Sequence, residues 1–136
     1  MDGVSVAIAY HSGYGRTERQ AIAVAAGVDN TPGARANLLR VASLDDGLWR
    51  SLAQADAIIF GSPTSMGGPS AVFQTFAEAS AGVWSAQGWA GKLAAGFTNS
   101  AGVSGDKLNT LLSLSVFAAQ RVRWGDGAIP IGSRSR

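Results

Sequence analysis

Between residues 10 and 17 the chain sets three hydroxyls, Ser12, Tyr14 and Thr17, around two small residues, Gly13 and Gly15. The segment before them, Val4–Tyr10, is a short apolar run that leans towards β structure, and the segment after them, Glu18 to Ala26, is rich in helix formers. A strand, a tight glycine turn and a helix start, in that order, bring side-chain O–H groups next to backbone N–H groups that lack an intrahelical acceptor. They do so at the positive end of a helix dipole. Such a loop suits an anion, and a phosphate above all.

Spacing separates the candidate loop chemistries. A P-loop needs Gly-x-x-x-x-Gly-Lys-Ser/Thr, but the Gly91-Lys92 pair here runs into Leu93 and a predicted strand. The dinucleotide fingerprint Gly-x-Gly-x-x-Gly fails because Glu18 stands where the third glycine belongs. A nucleophile elbow around Ser12 would need glycine at position 10, which is Tyr10. The single histidine, His11, is the direct neighbour of Ser12, whereas a serine–histidine pair is assembled from distant segments. What remains is a loop with hydroxyls at its first, third and sixth places. It can wrap a phosphate monoester without a metal or an obligatory lysine, with Arg16 either adding charge or simply solvated.

The elements that must position this loop follow from the pattern of the chain. Val4–Tyr10 reads as a buried parallel strand, Thr17–Gly27 as a helix ended by glycine, and Thr31-Pro32-Gly33 as a turn. Ala34–Val41 reads as an edge strand, and Ser43–Asp46 opens a short helix through Leu48 and Leu52. Ala55–Gly61 is a second buried strand, Ser62–Pro69 a turn-rich loop, and Ser70–Ala81 a helix with Val72, Phe73, Phe76 and Ala79 on one face. Lys92–Phe97 is a further strand, Thr98–Gly105 a loop, and Asp106–Gln120 a helix. This alternation predicts an α/β fold with a parallel sheet covered on both faces. Loops 11–17, 62–69 and 98–105 then leave the carboxyl ends of three strands, where open α/β sheets bind ligands. In isolation, His11 reads as a locally hydrogen-bonded loop residue, Trp49 and Trp89 as packing residues, and Asp106 and Lys107 as decoration of a helix start.

Composition sets the outer bounds. The 136 residues are 46% hydrophobic and 15% charged, which predicts one globular domain over 1–136. There are 18 glycines, in keeping with many tight turns, and no cysteine, which excludes disulfides, thiolate catalysis and cysteine metal sites. No metal site is expected. The net charge of +2 belongs to a basic tail at 121–136 that holds Arg121, Arg123, Arg134 and Arg136. The remaining body is close to neutral, which argues against nucleic acid as a partner. No leader-like start and no apolar run of about 18–20 residues is present, so the expectation is a cytoplasmic protein with no membrane partner.

Three stretches together carry a resemblance: Tyr10-His11-Ser12-Gly13-Tyr14-Gly15-Arg16-Thr17; Phe60-Gly61-Ser62-Pro63-Thr64-Ser65-Met66-Gly67-Gly68-Pro69; and Gly96-Phe97-Thr98-Asn99-Ser100-Ala101 with Ser104-Gly105-Asp106-Lys107-Leu108-Asn109. In this order and spacing, over roughly residues 3–120, they resemble the tryptophan-repressor-binding-protein (WrbA) group of flavodoxin-like NAD(P)H:quinone oxidoreductases and FMN reductases. The resemblance implies a three-layer α/β/α sandwich with parallel strand order 2-1-3-4-5, FMN as cofactor, NAD(P)H as co-substrate and a quinone or similar acceptor. It also implies a homo-oligomer, dimer or tetramer.

Carried over residue by residue, it assigns Ser12, Gly13, Tyr14, Gly15, Arg16 and Thr17 to the FMN phosphate. Pro63, Thr64, Ser65, Met66 and Gly67 fall to the isoalloxazine and ribityl chain, and Thr98, Asn99, Ser100, Ala101 and Gly102 to the far edge of the flavin. Tyr14 and Trp84 match aromatic positions near the nicotinamide or quinone, with Met66 and Trp84 as candidate walls for the ring. No catalytic acid–base pair is assigned, since hydride transfer is the cofactor's chemistry.

The chain departs from the group at Ser65, where many relatives carry a larger side chain, and after Gln120. There, the active-site histidine that relatives place after this helix is replaced by Arg121 or missing. Val122–Trp124 or Ala128–Ile131 is expected to supply a short fifth strand, at an edge in the second case because of Pro130. The last helix is missing, which predicts exposed apolar surface. An FMN electron carrier without its own substrate, or a shortened non-catalytic protein, are the alternatives to a reductase.

Overall fold

The computed structural model describes residues 3–82, 88–103 and 105–122. Its elements are β1 (Val4–Tyr10), α1 (Arg16–Asp29), β2 (Ala34–Arg40), α2 (Asp46–Gln54), β3 (Ala57–Ser65), β4 (Gly68–Pro69), α3 (Ala71–Ala79), β5 (Leu93–Asn99) and α4 (Lys107–Arg121). β1 runs parallel to β2, from Val4 opposite Ala34 to Tyr10 opposite Arg40. On its other side it runs parallel to β3, from Val6 opposite Ala57 to Tyr10 opposite Gly61. β5 continues the sheet beyond β3, from Ala57 opposite Leu93 to Pro63 opposite Asn99. The long strands therefore lie in the order β2-β1-β3-β5, the first four places of the expected order.

Each face of the sheet has its own core. α1 covers one face, packing Ala21 and Ala25 on Ile8 and Tyr10, with Ile59 and Phe97 at the margin. α2, α3 and α4 cover the other, bringing Leu52, Phe73, Phe76, Leu114 and Phe117 onto Ala7, Ala9, Ile58 and Phe60. This is the three-layer α/β/α sandwich. Phe60 is the hub of the second core: its ring lies 5.0 Å from Phe117, 6.0 Å from Trp89, 6.3 Å from Phe73 and 6.4 Å from Phe76. Trp89 is buried there and Trp49 stacks on Phe76, so both are packing residues as expected.

The expected loop Ser62–Pro69 is instead mostly strand. β3 runs on to Ser65, reverses at Met66-Gly67 and returns as β4, with Thr64 opposite Pro69 and Ser65 opposite Gly68. Met66 (φ 51°) and Gly67 (φ 81°) both have positive φ, as a type I′ hairpin turn requires. Glycine takes that region freely, but methionine seldom does, so Met-Gly is a poor sequence signal for the turn. β5 likewise runs two residues past Phe97, because the longer β3 offers Ser62 and Pro63 as partners for Thr98 and Asn99.

β5 is solvent-exposed from Leu93 to Gly96, with Leu93 65% exposed. A groove of about 440 Å³ runs between it and α4, along Gly96, Leu111, Leu114 and Ala118. Exposed apolar surface beside the sheet is thus present. Val122 ends α4 in an extended conformation. The rest of the expected fifth strand, in 123–136, and Trp84, in 83–87, lie outside the described residues.

Replacing the hub tests this packing. Phe60→Ala is expected to cost about 3–5 kcal/mol, the range for a large aromatic removed from a core, read as the change in unfolding free energy in urea.

Candidate functional site

The first loop is built by its own hydroxyl. Ser12 Oγ accepts hydrogen bonds from the N–H groups of Gly15 and Glu18, both at 3.1 Å. Gly15 precedes α1 at φ 93°, a conformation open to glycine. The first intrahelical bond runs from Arg19 N–H to Gly15 O at 3.0 Å. The amides of Arg16 and Thr17 therefore head the helix without an intrahelical acceptor. Thr17 is buried, whereas the Tyr14 side chain stands wholly in solvent.

The second loop is the β3–β4 hairpin leading into α3. Asn109 of α4 donates its amide to Gly67 O and so ties down the hairpin tip. Ser70 caps α3 by accepting from Phe73 N–H at 3.2 Å, while its own N–H donates to the buried Ser62 Oγ at 3.0 Å. The third loop is held by Lys107, whose ammonium donates to Ser100 Oγ (2.9 Å), Gly102 O (3.1 Å) and Val103 O (2.8 Å). Lys107 is a brace, not decoration of a helix start.

Side chains then stitch the three loops to one another. Thr64 Oγ1 lies 2.8 Å from Thr98 Oγ1 and donates to Thr110 Oγ1 at 2.8 Å. Asn99 Nδ2 donates to Thr17 Oγ1 (3.0 Å) and to Gln20 Oε1 (2.9 Å), and Gln20 Nε2 donates to Thr98 O at 3.2 Å.

Together the loops enclose a cavity of about 680 Å³ at the carboxyl ends of β1, β3 and β5. That volume lies in the range of about 300–1,000 Å³ usual for small-molecule sites. Gly13, Tyr14, Arg16 and Thr17 line it from the first loop, Pro63, Thr64 and Ser65 from the second, and Asn99, Ser100 and Ala101 from the third. Six of the singled-out residues are not on its wall. Ser12 and Gly15 shape the first turn, Thr98 belongs to the network beneath, and Gly102 accepts from Lys107. Met66 and Gly67 form the hairpin tip, with the Met66 side chain fully exposed. Arg121, at the far end of α4, bonds Ser80 Oγ (2.6 Å) and Ala77 O (3.3 Å) and braces α4 against α3.

The wall also holds residues that the sequence does not assign to the site: Ser70, Ala71, Val72, and His11, which is expected to be a locally hydrogen-bonded loop residue. His11 does not bond locally. Its Nδ1 lies 2.8 Å from Ser70 Oγ, 59 residues away. Ser70 Oγ also accepts from Phe73 N–H, and the imidazole tautomer sets which of His11 Nδ1 and Ser70 Oγ donates to the other. Burial holds the His11 pKa below its ordinary 6.5. The signal that could have found it is its position directly after β1, at the carboxyl edge of the sheet.

The profile of the NADPH-dependent FMN reductase family matches residues 46–131, more than half of the chain. The protein belongs to this family. Among curated relatives it is 39% identical over 116 residues to flavodoxin FldP of Pseudomonas aeruginosa, covering 83% of this chain and 60% of that one. It is 36% identical over 135 residues to an NAD(P)H dehydrogenase (quinone) of Geobacter sulfurreducens, covering 84% of this chain and 66% of that one. The chain thus spans a little under two thirds of the length of these relatives. Among solved structures, a flavodoxin, WrbA-like protein from Agrobacterium tumefaciens superposes with a TM-score of 0.80 at 39% identity, covering 93% of this chain and 87% of that one. The fold is flavodoxin-like.

His11 makes stability pH-dependent with a definite sign. Its folded-state pKa lies below its unfolded value of 6.5, so the unfolded chain binds more protons and stability is lost as pH falls from above 6.5 towards the folded pKa. His11→Gln, which cannot take up that proton, is expected to flatten the fall. The check is urea denaturation of both proteins at about pH 7.5 and about pH 5.5.

Proposed function

We propose that this chain binds FMN in the three-loop cavity and transfers electrons from NAD(P)H to a quinone or similar acceptor. The observation that carries the reading is the meeting of three loops around one cavity with the head of α1 on its wall. The residues fit the cofactor. The Arg16 and Thr17 amides, the Thr17 hydroxyl and the Arg16 guanidinium offer donors and positive charge for a phosphate monoester. Pro63, Ser65, Ala101 and Val72 offer a largely uncharged wall for a ring system. When bound, FMN supplies the hydride acceptance and electron delivery. The protein's part is to hold its phosphate, orient its ring and narrow the access of water. The names of the quinone dehydrogenase relatives support NAD(P)H and a quinone as the two substrates.

A carrier role without a substrate of its own is the second reading, favoured by the 39% identity to flavodoxin FldP. We place the protein in the cytoplasm as a homo-oligomer. Among the described residues no helix is long and apolar enough to cross a membrane.

Titration of the purified protein with FMN, followed by anaerobic addition of NADPH and then a quinone, tests both readings. Bleaching of the flavin that quinone reverses supports the reductase, and bound flavin that NADPH does not bleach supports the carrier. Failure to bind FMN at all overturns both. Thr17→Val is expected to lower FMN affinity about tenfold, within the range for losing a hydrogen bond to a charged group. Riboflavin affinity, which involves no phosphate, should stay unchanged in the same fluorescence titration.

A further inference from the structure

The hydrogen bonds beneath the cavity have a direction. Thr98 O is a carbonyl and can only accept, so the Gln20 side chain must turn its Nε2 towards it, at 3.2 Å. That turns Gln20 Oε1 towards Asn99, which must answer with its own amide nitrogen, at 2.9 Å. The same nitrogen reaches Thr17 Oγ1 at 3.0 Å, so the two N–H groups of Asn99 are both committed and Thr17 is the acceptor. Thr17 is 2% exposed and lies on the cavity wall. Within the described residues, the bond from Asn99 is the one hydrogen bond its hydroxyl makes. The hydroxyl hydrogen is left to point at a ligand. Were Asn99 reversed, its oxygen would take that hydrogen, and Thr17 would present lone pairs to the cavity instead.

We propose that Gln20, which is not on the cavity wall, is a positioning residue that sets the polarity of this chain and thereby fixes Thr17 as a donor to the phosphate of the bound ligand. The inference rests on the FMN reading and adds to it a reason for phosphate preference that lies one layer behind the site. A carbonyl at the end of β5 decides, through two side-chain amides, which way a buried hydroxyl faces.

Gln20→Lys tests it. Lysine can donate to Thr98 O but cannot accept, so Asn99 must turn its oxygen to the ammonium and thereby to Thr17. The readout is the ratio of FMN to riboflavin affinity by fluorescence titration, since only FMN carries the phosphate. The ratio is expected to fall about tenfold, the loss of one charge-assisted hydrogen bond. A simple charge effect would raise it, because a cation has been added near an anion site. Gln20→Met, which removes the constraint without adding charge, is expected to give an intermediate ratio and covers the case in which the lysine variant does not fold. A wild-type preference for FMN that persists unchanged in the variants overturns the role of Gln20 alone. A wild-type protein that binds the two flavins equally overturns the phosphate reading and this inference with it.

Discussion

Two adjacent residues at the end of β5 face opposite ways, and the site depends on that alternation. Thr98 meets Thr64 of the hairpin strand, which in turn reaches Thr110 of α4. Asn99 turns to the other face and binds Thr17 and Gln20 of α1. One strand end thus joins both helical layers. The parallel register, Ser62 opposite Thr98 and Pro63 opposite Asn99, makes this possible. A slip of one residue would exchange the two faces and break both connections. The burial of Phe60 and Ile58 on one side and Ile8 and Ala21 on the other holds that register in place.

The hydroxyls of the first loop divide the labour between them. Ser12 is spent inside the loop, on the amides of Gly15 and Glu18, and so gives the turn its shape. Thr17 is held from behind by Asn99, and Tyr14 is left in solvent at the rim. Lys107 does for the third loop what Ser12 does for the first, by taking up its carbonyls and the Ser100 hydroxyl. Loops closed by their own bonds keep their form before a ligand arrives, which lowers the ordering cost of binding.

Much of this could be read in the chain. β1 appears at its full extent because an apolar run breaks sharply at Tyr10–Gly13, and α1 follows from the residues after Gly15. The helix does not end at Gly27 as expected: Gly27 stays helical and α1 runs on to Asp29, with Asn30 as its cap. The three loops were marked by glycine and hydroxyl content, and all three do meet at one edge. What was hidden depends on tertiary geometry. The hairpin at Met66-Gly67 needs a methionine in a conformation it seldom takes. The bond from His11 to Ser70 crosses 59 residues, and no local pattern foretells it. Whether a loop hydroxyl faces inward, like Ser12, or lies on the cavity wall, like Thr17, is decided by partners that composition does not name.

Glu18 sits in the first turn of α1, directly after the Arg16 and Thr17 amides that head the helix, where its negative charge would repel the same anion those amides attract. It is drawn aside by Arg40 of β2 at 2.5 Å and by the Tyr10 hydroxyl at 3.3 Å. The Arg40 side chain is 70% exposed, so dissolved ions loosen the pair. Added salt therefore acts in opposed ways: it loosens Glu18 from Arg40, and it screens the charge of Glu18 together with that of Arg16. The carboxylate is thus turned most fully away from the head of α1 at low ionic strength, where the pair with Arg40 is tightest.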